Sequence, residues 1–418
     1  MHLYGKTYFR LRVSFEILLI ILMSCAFFDI RMFQPLFRND NAIITYMLML
    51  AYFFIRNMGF SFRVGISQKM RPLWWLLAGV LLSFIPAYLF YGQHLYYSVV
   101  AYRHFLGYFA FFALLSVQPR REELKMALYA FTVIYFICTL YVSFVNPKFI
   151  VFEAKEGLEF IEEGDFVHML RGIQFLPLAY IFALDDLRKE KIGFKNSLMA
   201  VFVFLVIFMI QNRSILFSCI VLTIFAALAN KSARRRLITG SFMLVLLALA
   251  VFFMFQYIDK LFTETIEQLS DQDYNRVKAF VYFTSGENGF LSILLGNGFI
   301  SGKVNPIMEN LRLDGIYHSD LGLIGFWHQF GLIPVLTILV VCFRALSSMH
   351  EFLVRANALN ILLCALTIAY FREFSYSLWL CLFWFLFETD TEYMISRRKR
   401  YEEQVRAAMR RFRSISSS

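Results

Sequence analysis

The residues of this chain best suited to chemistry are arginines and histidines placed at the edges of apolar runs. Arg103 and His104 stand in AYRHFLG, His168 and Arg171 in HMLRGIQFLP, Asn212 and Arg213 in IQNRSILF, and His318 and Asp320 in GIYHSDLGLIGFWHQFGL. A guanidinium stays charged at any physiological pH, and its planar fork matches two oxygens of a phosphate. An imidazole can take up or release a proton near neutrality. Such a set suits the binding of an anion and the activation of a weak nucleophile. An ionisable group at the centre of a membrane span costs about 2.5–3.5 kcal/mol, so each of these residues calls for a reason.

The elements that must position them are hydrophobic. Of 418 residues, 59% are hydrophobic and 17% charged, and there are 50 phenylalanines. A soluble domain has about 25% charged residues. The composition therefore predicts an all-α, polytopic membrane helix bundle. Apolar runs near the length that crosses a bilayer recur at 13–30, 42–56, 73–91, 97–117, 126–145, 168–184, 197–211, 214–230, 237–257, 322–343, 356–371 and 374–389, about 12 transmembrane helices. The chain divides into spans one to nine over 1–257, an outside loop over 258–321, spans ten to twelve over 322–389, and a basic tail over 390–418. The run after MHLYGKTYFRLR lacks a small-x-small cleavage site and reads as a first retained span.

Charge orients the map. The net charge is +11, and the Lys- and Arg-rich stretches RVGISQKMR, QPRREELK, DDLRKEKIGFK, NKSARRR and RRKRYEEQVRAAMRRFR fall in alternate loops. With both termini cytoplasmic, all of these lie inside, as the positive-inside rule requires, and VFEAKEGLEFIEEGD lies outside. The excess charge thus points to membrane orientation and anionic lipid, with no nucleic-acid partner. Cys25, Cys138, Cys219, Cys342, Cys364 and Cys381 all sit in apolar runs without metal-site or disulfide spacing, and read as small packing residues.

In this frame every candidate residue faces the outer side. Arg103 and His104 open the fourth span, where snorkelling to headgroups and an anion contact are both open readings. Arg171 opens the sixth span, as an interfacial anchor or as part of a site. The apolar stretch 197–230 has 34 residues, about 51 Å as one helix, too long for one straight span. It must break at Gln211–Ser214, where a new helix would aim its N-terminal amides and Arg213 outward. Within the outside loop, YNRVKAFVYF places Val277, Phe280 and Val281 on one face of an interfacial helix carrying Arg276. Gly296, Gly298 and Gly302 permit tight turns, and Gly322, Gly325 and Gly331 allow close helix approach. His318 stands at the outer mouth. His328 competes with it but lies further into the span.

An arginine at an outer helix break, an arginine on an outside helix, and LLGNGF followed by YHSDLGLIGFWHQFGL together resemble the family of O-antigen polymerases and O-antigen ligases. The resemblance is strongest over 197–345. It implies GT-C-type glycosyltransferase architecture in a bacterial inner membrane, with the active site under a large periplasmic loop. It implies an undecaprenyl-diphosphate-linked oligosaccharide as donor, with no metal or cofactor. A chain-length regulator and a flippase are the partners it suggests. Carried over by position, Arg213 matches the arginine of the family's Ser-Arg-Gly-like segment, here Asn-Arg-Ser. Arg276 matches the loop arginine, Gly296 and Gly298 the loop's Gly-x-Gly, and His318 a histidine usually followed by Asn, here by Ser319 and Asp320. That departure favours polymerase over ligase.

The implied chemistry fits the residue types. Charge building on a departing diphosphate needs cations, which guanidinium groups supply. Arg213 and Arg276, with Arg171, are expected to hold the diphosphate. Arg103, Asn212, Gly296, Gly298 and Asp320 line the substrate, and His318 orients or deprotonates the acceptor hydroxyl. A transporter or flippase is the competing class. Against it, the two halves show no repeat, and the polar residues gather at the outer face instead of the midplane.

Overall fold

The computed structural model describes residues 2–30, 40–58, 71–144, 170–189, 194–210, 212–229, 240, 275–284, 289–300, 321–347, 350–365 and 374–390. Among these the architecture is all-helical. In chain order the helices are α1 (His2–Ser24), α2 (Asp40–Met58), α3 (Arg71–Leu82), α4 (Phe84–Tyr91), α5 (Leu95–Ala101), α6 (Phe109–Val117), α7 (Arg121–Phe144), α8 (Phe175–Lys189), α9 (Phe194–Met209), α10 (Arg213–Leu228), α11 (Asn275–Thr284), α12 (Gly289–Leu295), α13 (Leu323–Phe330), α14 (Leu332–Ala345), α15 (Phe352–Leu363) and α16 (Phe374–Glu388). A 3-10 segment, Tyr102–Tyr108, joins α5 to α6.

Among the described residues, three continuous helical stretches, Pro72–Tyr91, Leu95–Val117 and Arg121–Val142, are long and apolar enough to cross a membrane, and six further apolar helices are shorter. The first stretch exposes Trp74 and Trp75 near one end and Tyr88 near the other, about 20 Å apart along a helix. Aromatic rings at both ends of an apolar face are what a bilayer's two interfaces select.

The bundle has two chemically different ends. At one end Arg121 pairs with Glu351, and Lys125 meets Asp186 at 3.2 Å. Arg188 and Lys189 hold Asp185, and His350 meets Asp390 at 2.6 Å. Each group comes from a segment that the charge pattern predicts to be cytoplasmic, and the fold gathers them into one charged end. The opposite end holds the glycine-rich backbone.

The expected break in 197–230 is present. α9 stops at Met209 and α10 starts at Arg213, with the Asn212 side chain accepting the Ile215 N–H at 3.1 Å. This cap satisfies one of the amides that a helix start leaves open. The tenth expected span, in contrast, is two helices. Gly331, at φ 79°, separates α13 from α14, and a Cβ there would collide with the backbone of Leu294–Gly296. The chain bends because the loop after α12 occupies the space that a straight helix would fill.

Candidate functional site

The glycine-rich end is built on the loop 296–299. Gly296 and Gly298 both hold positive φ, 79° and 76°, and neither has room for a Cβ. At Gly296 a Cβ would strike the backbone of Gln329 and Gly331, and at Gly298 it would strike Ala87. Glycine is therefore required at both positions for conformation and for approach. The loop binds α13 through its backbone, since Asn297 N–H donates to His328 O and Gly298 N–H to Gln329 O, each at 2.8 Å. On its other side the Phe299 N–H donates to the Tyr102 hydroxyl at 2.8 Å, and Gln93 Nε2 donates to Phe299 O at 3.0 Å. Tyr102 in turn shares a 2.7 Å hydrogen bond with Ser83.

Between the two glycines, Asn297 makes a side-chain link that sequence reasoning did not assign. Its Oδ1 accepts from Ser292 Oγ at 2.6 Å, which turns its amide nitrogen toward His328 Nε2 at 2.9 Å. Phe283 of α11 packs on the same imidazole, with ring centres 4.7 Å apart. His328, the competitor of His318, is thus the histidine that the loop engages. The signal for Asn297 was its place between two glycines that both need positive φ.

The helix carrying Arg276 is present as α11, and its inward residues are Ala279 and Phe283, which pack with Leu321. On its other side Phe280 and Val281 are 47% and 60% exposed. A helix lying on a membrane keeps such an apolar face toward lipid, while its other side packs on the bundle.

Arg213 opens α10 at the same end. α10 runs antiparallel to α15, with Ser218 donating to Asn360 at 2.6 Å and Phe225 stacked on Phe352. One turn further toward the α10 start, the chain after α15 reaches Ala365, whose carbonyl accepts the Leu323 N–H at 2.7 Å. The start of α10 therefore stands level with the start of α13. His318 and Asp320, like Gly302 and His168, lie outside the described residues.

A second arrangement lies beside the first. α8 has 15 residues, about 22 Å, too short to span a hydrocarbon core of about 30 Å. Its lead-in turn, 171–174, sits against the middle of α7, since Tyr135 donates to Leu170 O at 3.1 Å and Phe131 packs on Phe175. α7 continues to Phe144, so the turn is recessed below that end. Gly172, at φ 96°, has no room for a Cβ beside Cys25 and Phe131. Arg171 on this turn and Arg103 on the 3-10 segment both come within electrostatic reach of His104. All three are half-buried.

Below them lie polar groups with no hydrogen-bond partner, namely the Nδ1 of His104, the hydroxyl of Tyr46 and both amide atoms of Gln174. Tyr46 is 0% exposed and Gln174 1%. Leaving a buried polar group unpaired costs about 1–3 kcal/mol. The Phe374 ring lies between Tyr46 and His104, with centres 5.0 and 5.1 Å away. Under this floor, Leu50 and Leu378, one turn from Tyr46 and Phe374, begin an apolar crevice that continues along Phe53 and Leu382.

Chemically, this end offers two guanidiniums near a recessed turn, two histidines and a rigid glycine loop. Among the described residues no group of three or more His, Cys, Asp or Glu is placed to hold a metal ion. The structure sets Arg103 and Arg171 each within electrostatic reach of His104 and brings Gly296 and Gly298 together with His328, and Tyr102 links the two sets. It sets Asn212 and the start of α10 at the same end. In comparison with known proteins, the chain matches no family model and no curated protein.

Proposed function

We propose that this protein is a polysaccharide repeat-unit polymerase of the bacterial inner membrane. It transfers glycan from an undecaprenyl-diphosphate donor to a sugar hydroxyl of a second lipid-linked glycan at the periplasmic face. The observation that carries this reading is the convergence of Arg103 and Arg171, from two separate elements, at the end of the bundle opposite the charged one. Cations gathered away from the cytoplasmic charges suit an anion presented on the outer side.

In the reaction the acceptor oxygen attacks the anomeric carbon. The bond from that carbon to the diphosphate oxygen breaks, and the diphosphate leaves with the electron pair. The hydroxyl proton passes to a base. Arg213, Arg276 and Arg171 neutralise the departing diphosphate, and His318 receives the proton. Cations placed where charge develops, in a partly dry site, supply several kcal/mol without reorganising. A positioned base adds about 10²–10⁴ in rate. The Gly296–Phe299 loop, locked to α13 and to Tyr102, gives this end a rigid wall.

Deletion of the gene followed by chain-length separation of surface polysaccharide tests the proposal. A polymerase loss leaves single repeat units attached to their carrier. If none are attached, the enzyme is the ligase that passes finished glycan to lipid A-core. Unchanged polysaccharide would reject both and return the transporter reading.

A further inference from the structure

The recessed ring around Phe374 holds more hydrogen-bonding capacity than the protein uses. We propose that it is a glycosyl-phosphate subsite, in which Tyr46, His104 and Gln174 take hydroxyls of a pyranose and Arg103 and Arg171 take the adjoining phosphate. This assignment rests on the glycan-transfer reading above and extends it to the residues that grip the sugar.

The ring closes through contacts that run from Tyr46 to Phe374 to His104, then by charge to Arg171, and through Gly172 to Cys25, which lies beside Tyr46. Gln174 stands on the same turn as Arg171 and Gly172. Arg103, Arg171 and His104 are half-buried, and Tyr46 and Gln174 are fully buried and neutral. A phenol, an imidazole and a primary amide each donate and accept, as a sugar hydroxyl does. An anion alone would leave the acceptor lone pairs of Gln174 and Tyr46 unmet. A hydrocarbon would leave every group unmet. A ligand with hydroxyls below and a phosphate above meets all of them. The recessed turn fits the same view, since non-helical backbone at depth is tolerated where it is buried in protein or lines a polar cavity.

The test uses the full-length protein in a zwitterionic detergent that contains no sugar. Thermal unfolding and equilibrium binding are measured with a panel of hexose and N-acetylhexosamine 1-phosphates. Inorganic phosphate, the free sugars, and one matching sugar on a short polyprenyl diphosphate are the comparison arms. At least one sugar phosphate is expected to bind about tenfold or more tightly than phosphate or its free sugar. Tighter binding of the polyprenyl form marks a lipid-borne ligand, and equal binding marks a soluble one, both in support.

Gln174→Leu and Tyr46→Phe should each weaken this binding about tenfold while leaving the unligated melting temperature unchanged or raised, because each removes an unpaired buried group. No panel member binding better than phosphate, or unchanged binding in both variants, overturns the proposal and assigns the groups to buried water. A melting temperature lowered in both variants would also overturn it, because the groups would then serve the fold itself. If the variants lose binding while the deletion strain keeps its polymer, the subsite stands and the polymerase reading fails. The reverse pattern rejects the subsite alone.

Discussion

The hydroxyl of Tyr102 accepts the backbone N–H of Phe299, 197 positions further along the chain, at 2.8 Å. This bond ties the glycine loop to the segment that bears Arg103 and His104, and so joins the two halves of the candidate site. Tyr102→Phe should leave the Phe299 amide without its partner and Ser83 with one bond fewer, at about 1–3 kcal/mol. A melting temperature several degrees lower in detergent would show it, with a matching loss of polymer length. An unchanged melting temperature would mean that the tie contributes nothing.

The loop glycines differ in what constrains them, and alanine substitutions should separate the two causes. Gly296→Ala and Gly331→Ala each meet both a positive φ and a backbone collision, and should fail to accumulate as folded protein. Gly92→Ala meets a positive φ of 62° in open space, and should cost only about 1–2 kcal/mol. Folded yield by size-exclusion chromatography measures the contrast.

His328 needs an acceptor nitrogen toward Asn297. His328→Gln supplies an acceptor oxygen and should keep most polymer-forming activity. His328→Leu removes the ring nitrogen that meets the Asn297 amide and should lower both stability and activity. Equal behaviour of the two variants would remove His328 from the site.

Among the arginines, Arg213→Ala should reduce polymer yield about 100-fold while the protein still inserts, the size expected from losing one preorganised cation. Arg171→Lys should restore little of what Arg171→Ala loses, since an ammonium lacks the two-pronged geometry. His318→Ala should likewise abolish polymer. Normal chain length in the Arg213 and His318 variants would reject their roles.

At the charged end, Glu351 is 2% exposed and paired with Arg121. Arg121→Met alone should cost about 3 kcal/mol by taking the guanidinium from a buried carboxylate. Arg121→Met combined with Glu351→Leu should recover most of that loss. Denaturant unfolding of the single and double variants measures the coupling.

Much of the helical plan was legible in the chain. The break before Arg213 followed from arithmetic, since an apolar stretch about 51 Å long exceeds any bilayer. The separation of the ends followed from alternating charge, and Arg121, Lys125, Asp186, Glu351 and Asp390 do meet at one end. The split at Gly331 was not legible. Glycine in an apolar run reads equally well as close helix packing, and only the loop lying against it turns permission into a bend.

Local sequence determined which segments are helices, which ends carry charge and where arginines stand along each span, because hydropathy, length and charge act within one segment. Tertiary structure alone decided that Phe374 packs against both Tyr46 and His104 and that His328 answers to Asn297. Those residues are far apart in the chain, and their meeting depends on how deep each helix sits against its neighbours. Depth is fixed by packing between helices, and no single segment encodes it.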